Sequence, residues 1–326
     1  MKESDIRNNS TLMKYQTLVD RDVKKYFKKS SNFKNVNYNS WGCKKVKKIF
    51  NKKNFNYYQC LETKTIFANP RPSPEVLEDF YSNSNSSNFW FKKFFLPKLK
   101  IRTKKIFKPR AKFFLKKFNN YKNKKFLDIG AGMGIFLSQL KKKWPKGNFY
   151  ALEPSKDLAE RCKHNGLKVF QTTIEQIDER YNKFNVISSF ELFEHMFDPK
   201  LFLKKVYNLL NKKGVFYFTT LNGMGFDIQV LGKNSNAIYP PYHLNFFNPK
   251  SIEILLRKIG FKNIQIDTPG ELDWSIVENN ISKIDNHSKV FFEYFSKYMS
   301  KRDKKNLQNY LKKNNLSSHM RIIAKK

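Results

Sequence analysis

An aspartate followed by alternating glycines is the first place where this chain concentrates chemistry. The stretch LDIGAGMG places Asp128 ahead of Gly130, Ala131, Gly132 and Gly134. Glycine is scarce elsewhere, 12 residues in 326, so the cluster marks a ligand that must approach the backbone. The N–H groups opening a following helix favour a negatively charged ligand group. The spacing G-x-G-x-G is not the dinucleotide spacing G-x-G-x-x-G, and Asp128 would repel a pyrophosphate. Together these favour a ligand with a cationic or hydroxyl-rich portion over NAD. Glu153, in ALEPS with Pro154, follows Gly134 by nineteen residues. It stands at a second strand tip, where a carboxylate accepts both hydroxyls of a ribose. The two features specify a nucleoside-containing cofactor. Thr173, Ile174 and Glu175 follow a third apolar run, where an adenine would lie. Phe190 and Glu191 end a fourth, with Glu194 and His195 just beyond.

The segments LDIGAGMG, ALEPS, FNVISSFELFEHMFDP and FLKKVYNLLNKKGVFYFTT occur in one order, and residues 120–265 resemble the class I S-adenosylmethionine-dependent methyltransferases. EHMFDP and PPYHLNFFNPKSIEILLRKIGF are most similar to the group holding ubiquinone-biosynthesis O-methyltransferases and sugar-modifying enzymes. The resemblance implies S-adenosyl-L-methionine as cofactor, contacted by Asp128, Gly130, Ala131, Gly132, Gly134, Glu153, Pro154, Thr173, Ile174, Glu175, Phe190 and Glu191. It implies methyl transfer to a small-molecule acceptor, with a hydroxyl of a saccharide or lipid-linked biosynthetic intermediate as the leading reading. Transfer to carbon or nitrogen of a nucleotide sugar, nucleic-acid methylation and a non-catalytic cofactor-binding scaffold are the alternatives. A hydroxyl is a poor nucleophile and benefits from a base near neutral pKa. Among five histidines, His195 beside the fourth strand and His243 in YPPYHLNFF are the catalytic candidates, with His195 preferred. Glu191, Glu194 and His195 have the donor types for a Mg²⁺ that would polarise a diol, but the preferred reading assigns no metal.

These residues need a scaffold that brings loop tips together. From residue 126 onward, KFLDIG, NFYALEP, KVFQT, FNVISSF and GVFYFTT read as strands, with helices near 134–144, 156–165 and 199–212. That alternation specifies an α/β protein with a mostly parallel sheet and helices on both faces. SIEILLRKIGF is a further helix ended by Gly260, and NIQIDT and HMRIIAKK are the last strands. The expected fold is the class I methyltransferase fold, a seven-stranded sheet with a helical insertion at about 271–317. The methyltransferase domain then runs over 126–326, behind basic aromatic linker helices at 91–125 and a basic N-terminal module at 1–90.

The front of the chain carries most of the charge. The formal net charge is +37, and the first 125 residues hold 32 Lys/Arg against 8 Asp/Glu. Lysine here travels with Asn, Phe, Ile and Tyr, so codon bias accounts for much of it, and nucleic acid is disfavoured as a partner. No recognisable RNA-binding module is appended. In 91–118, Phe and Leu interleave with Lys and Arg, which suggests reversible seating on an anionic membrane surface, while Pro97 and Pro109 favour plain amphipathic helices. YYQCLETKTIFANPRPSPEVLEDFY resembles the end of a small zinc module found ahead of some methyltransferases encoded with surface-polysaccharide genes. Thr63 and Val46 replace two of that module's cysteines, so Cys43 and Cys60 read as lone residues and the module as metal-free. Three cysteines, an opening without an apolar leader core and no spanning apolar run read as cytoplasmic.

Overall fold

The computed structural model describes residues 9–28, 32–180 and 183–326. The opening stretch read for a leader lies partly outside them, at 1–8. Seven strands form the central sheet: β1 (Lys125–Ile129), β2 (Asn148–Leu152), β3 (Lys168–Phe170), β4 (Phe184–Phe190), β5 (Leu210–Leu221), β6 (Lys262–Asp267) and β7 (His319–Lys325). Their order is β6-β7-β5-β4-β1-β2-β3. β7 runs antiparallel to both neighbours, and β3 through β5 pair in parallel. That order with a reversed last strand is the class I methyltransferase fold. Strand order reverses between β1 and β4, the switch point where open parallel sheets bind ligands beyond their carboxyl ends.

Local chemistry accounts for the helices that pack on this sheet. Asp198 caps Pro199–Leu209 by accepting the N–H groups of Lys200 and Leu201. Asn248 and Ser251 form a reciprocal capping box on Pro249–Ile259, which Gly260 ends at φ 116°. β5 begins at Leu210, immediately after Leu209, so the helix expected to reach residue 212 stops three residues early. Between β6 and β7 run helices Asp273–Glu278, Asn286–Tyr298 and Lys301–Lys313. No helix among the described residues is long and apolar enough to cross a membrane.

The front of the chain folds onto the sheet rather than beside it. Strands Val46–Lys52, Phe55–Cys60 and Ile66–Ala68 make an antiparallel sheet whose fourth strand, Asn245–Phe246, comes from the loop after β5. One apolar cluster joins Val19, Phe55 and Phe80 to Leu244 and Phe246. Another joins Trp41 and Phe67 to Phe193, Phe247 and β7. The segment 91–118 is an almost continuous helical run with wide π turns at Trp90–Phe95 and Thr103–Phe107. Its rings turn inward: Phe94 is buried, Phe91 and Phe95 are half-buried, and Phe114 packs on Phe126, Phe136 and Tyr217. The apolar face of 91–118 is therefore largely part of the protein's own packing, as the reading of plain amphipathic helices expected. Cys43 and Cys60 are also not lone residues, because the fold joins them as a disulfide.

Candidate active site at the carboxyl ends of the parallel strands

Burial on both faces carries β1 straight into the glycine loop. Asp128 is almost fully buried and accepts a 2.7 Å hydrogen bond from Ser188 Oγ on β4. Its removal from water pushes its carboxyl up to about 7. The three glycines differ in what they do. A Cβ on Gly134 would meet the Leu167 side chain at 2.5 Å, so close packing requires that glycine. Gly132, at φ 56°, would direct a Cβ into open space, so its left-handed backbone rather than packing favours glycine there. Glu153, at the end of β2, reaches across this loop. Its carboxylate accepts the N–H of Gly132 at 2.8 Å and that of Ser155 at 3.1 Å, and burial holds it up at about 7.

Around this cradle the remaining sequence candidates fall into distinct places. Ala131 and Pro154 lie in the loops after β1 and β2. Thr173 is half-buried, Ile174 packs into the main apolar cluster, and Glu175 is exposed. Phe190 stacks under the Arg110 guanidinium, 4.0 Å from its ring centre. Glu191 follows with left-handed backbone, φ 51°. It accepts a 2.6 Å bond from Thr219 Oγ1 and pairs with His319 Nδ1 at 3.1 Å and Arg110 at 3.9 Å. Burial opposes charge on Glu191 and His319, yet each stabilises the other. Glu191 is held well below the usual carboxylate range, and His319 is raised to about 9.

Glu191 is thus drawn away from the trio the sequence suggested. The groups that converge are Glu194, His195 and His243, whose donor atoms lie within 4.8 Å of one another. The two imidazole rings are 5.0 Å apart at 74°. Glu194 is buried, accepts Thr220 Oγ1 at 2.8 Å, and is raised to about 8 by burial and by Glu191. His195 Nδ1 lies 3.3 Å from the Tyr81 hydroxyl. Burial and the neighbouring His243 lower His195 to about 3. His243 Nδ1 donates to the Ala237 carbonyl at 2.6 Å, leaving Nε2 as the ring's basic atom.

Front-end residues that carried no sequence signal hold these loops. Arg71 is fully buried and donates to the carbonyls of Ala68, Met196, Phe197 and Leu244 and to Asn245 Oδ1. Tyr57 Oη donates to the His243 carbonyl at 2.9 Å, and Leu244 N–H to that of Glu194. In the sequence Tyr81 only ends the stretch that resembles a zinc module, and Arg110 is one of many cations in 91–118. Their neighbours belong to segments distant in sequence, so spacing along the chain could not reveal them.

Residues 99–266, just over half of the chain, match the family model of the methyltransferase domain. The chain belongs to that family. It is similar to a ubiquinone biosynthesis O-methyltransferase of Actinobacillus pleuropneumoniae, 31% identical over 122 residues that cover 35% of this chain and 52% of that protein. A protein of the same description from Ruegeria pomeroyi is 26% identical over 178 residues, 48% of this chain and 69% of the relative. The chain spans about half the length of the first of these curated relatives. A solved S-adenosylmethionine-dependent methyltransferase from Archaeoglobus fulgidus is similar with a TM-score of 0.47 at 18% identity, covering 70% of this chain and 99% of that one.

Proposed function

We propose that this methyltransferase-family protein moves a methyl group from S-adenosyl-L-methionine to a hydroxyl of a small-molecule acceptor. The observation that carries the reading is the meeting of His195, His243 and Glu194 past the carboxyl end of β4, the strand that pairs with the β1 leading into the Gly132–Glu153 cradle. The cradle fits the donor: the absence of a side chain on Gly132 leaves open space over the loop, and the Glu153 carboxylate suits ribose hydroxyls. Asp128, when ionised, supplies negative charge near a cationic ligand. When bound, the donor supplies an electrophilic methyl on sulfur. His243 Nε2 takes the acceptor's proton as oxygen bonds to that methyl, and S-adenosylhomocysteine leaves. His195, depressed to about 3, is too weak a base for this step and positions His243 and the acceptor instead. That reverses the preference read from sequence.

The names of the relatives favour a phenolic hydroxyl of a quinone precursor, and the upstream segment favours a saccharide or lipid-linked intermediate. A second reading keeps the same donor. Glu194, His195 and His243 offer one carboxylate and two imidazoles, a set that fits a divalent cation able to polarise a diol.

Calorimetry with S-adenosylmethionine and S-adenosylhomocysteine tests the donor. Glu153→Ala should weaken both by about 1.5–3 kcal/mol through lost charge-assisted bonds, and equal affinity for NAD would overturn the reading. Transfer of labelled methyl to catechol-type phenols, nucleotide sugars and lipid-linked sugars sorts the acceptors. His243→Gln should slow turnover by roughly 10²- to 10⁴-fold without loosening the donor. Restoration of wild-type rates by added metal would favour the second reading.

A further inference from the structure

The helix Asn286–Tyr298 presents an apolar stripe that no other described residue covers except at Phe295, whose ring meets Trp274 edge-on. Val290, Phe291, Tyr294 and Tyr298 are 68%, 60%, 64% and 63% exposed, and Phe295 is 37% exposed. Their spacing, with 290, 294 and 298 on one line and 291 and 295 beside it, puts all five on one side of the helix. The opposite side is already anchored. Phe292 packs with Trp274, Val277 and Ile284, and Ser296 donates to Glu278 at 2.6 Å. The stripe is therefore a fixed outer surface, because the helix has its intramolecular partners in place.

Charge decides what fits it. Residues 281–314 hold nine Lys/Arg against three Asp/Glu. Lys297 lies on this helix, Lys283 precedes it, and Lys301, Arg302 and Lys305 open the helix that follows it; all five are exposed. A second copy of this face would bring like charge against like charge on a chain already at +37. Nucleic acid would meet the cations but would leave Val290 and the phenyl rings without an apolar partner. An anionic bilayer satisfies both halves: rings enter the acyl boundary while lysines stay at the phosphates. We propose that Asn286–Tyr298 and the basic start of Lys301–Lys313 form the surface that seats this protein on anionic lipid membranes. The proposal is independent of the methyl-transfer reading.

The test is flotation of the full chain with vesicles of phosphatidylglycerol and phosphatidylcholine, set against phosphatidylcholine alone. Wild-type protein should float with the anionic vesicles only and be released by about 0.5 M salt, where the Debye length falls to a few ångströms. Phe291→Ser/Tyr294→Ser should lower the bound fraction about tenfold by removing the inserting rings, and Lys301→Glu/Arg302→Glu should lower it through charge. All four positions are exposed, so each variant should keep the wild-type melting temperature, which is measured alongside. Wild-type protein that stays at the bottom overturns the proposal. So does a serine variant that floats as well as wild type, which would mean simple polyanion adsorption. A wild-type dimer in sedimentation velocity that the serine variant dissociates would assign the stripe to a second copy instead.

Discussion

Asp128 and Glu153 reach the binding cradle with carboxyl groups raised to about 7, burial being the main cause for both. A bound cation would favour their charged forms and lower both values, so cofactor binding near pH 7 should expel protons. Binding heats of S-adenosylmethionine should then differ between buffers of different ionisation enthalpy, and affinity should fall as pH drops through 7. Buffer-independent heats would remove the carboxylates from the binding step. His195 gives a stability prediction of opposite chemistry and the same direction. Its unfolded pKa is near 6.5 and its folded value about 3, so below pH 6.5 only the unfolded chain takes up that proton. Its stabilising contribution is present above 6.5 and declines as pH falls toward 3. His195→Gln should therefore flatten the acid side of a melting-temperature profile between those limits; an unchanged profile would show that the ring is hydrated in the folded state. Disulfide pairing gives a third test: under denaturing, non-reducing conditions one thiol should titrate, Cys162, because Cys43 and Cys60 are joined. Glu153 and the glycines were legible because their roles follow from positions on one strand–loop unit. His243 was recognisable by type, but its meeting with Glu194 was not, since pairing between distant segments creates it.

Arg71 shows how a short front-end element shapes the loops that carry His195 and His243. It sits in the two-residue strand Arg71–Pro72 with no carboxylate hydrogen-bonded to it among the described residues, its charge spread over carbonyl dipoles and the Trp41 ring, with Asp198 acting from farther off. Burial lowers its pKa to about 9, a measure of what desolvation costs. Arg71→Met should destabilise the protein by about 3–5 kcal/mol by leaving those buried carbonyls unpaired. It should also lower turnover, because Met196, Phe197, Leu244 and Asn245 flank both histidines. Denaturant unfolding reads the first effect, and a loss under about 1 kcal/mol would mean that water replaces the guanidinium. The apolar strands of the central sheet were readable from their unbroken runs, and Pro199–Leu209 and Pro249–Ile259 from periodicity and caps. Asn245–Phe246 was not, because two residues carry no period and only the partner strand makes them a strand. The π turns at 90–95 and 103–107 escaped as well, since nothing in residue type or spacing separates a π turn from regular helix.

At the scale of the molecule, the front module shares two apolar clusters with the central-sheet domain and one β-sheet with the loop after β5. A chain starting at residue 91 would expose Leu244, Phe246 and Phe247 and lose every Arg71 contact. It should be aggregated or unfolded, and the whole protein should melt in one calorimetric transition. Two separated transitions, or a stable truncated chain, would show that the interface is dispensable. The basic character of the chain was plain from composition, yet composition could not say which rings face outward; the fold takes those of 91–118 inward and leaves those of 286–298 outside. The shared sheet also has a consequence for how the chain is made. Arg71 and its partner Asn245 are 174 positions apart, and the neighbouring Ile66–Ala68 edge pairs with Asn245–Phe246. On a ribosome adding about 5–20 residues per second, that edge waits on the order of ten to thirty seconds for its partner. Throughout that interval Ile66 and Phe67 lie on an open, apolar strand edge, the kind of surface that pairs with other chains. The nascent chain is most exposed to misassembly in that interval, and slow translation or a shortage of chaperones should reduce yield more than any weakness of the finished fold.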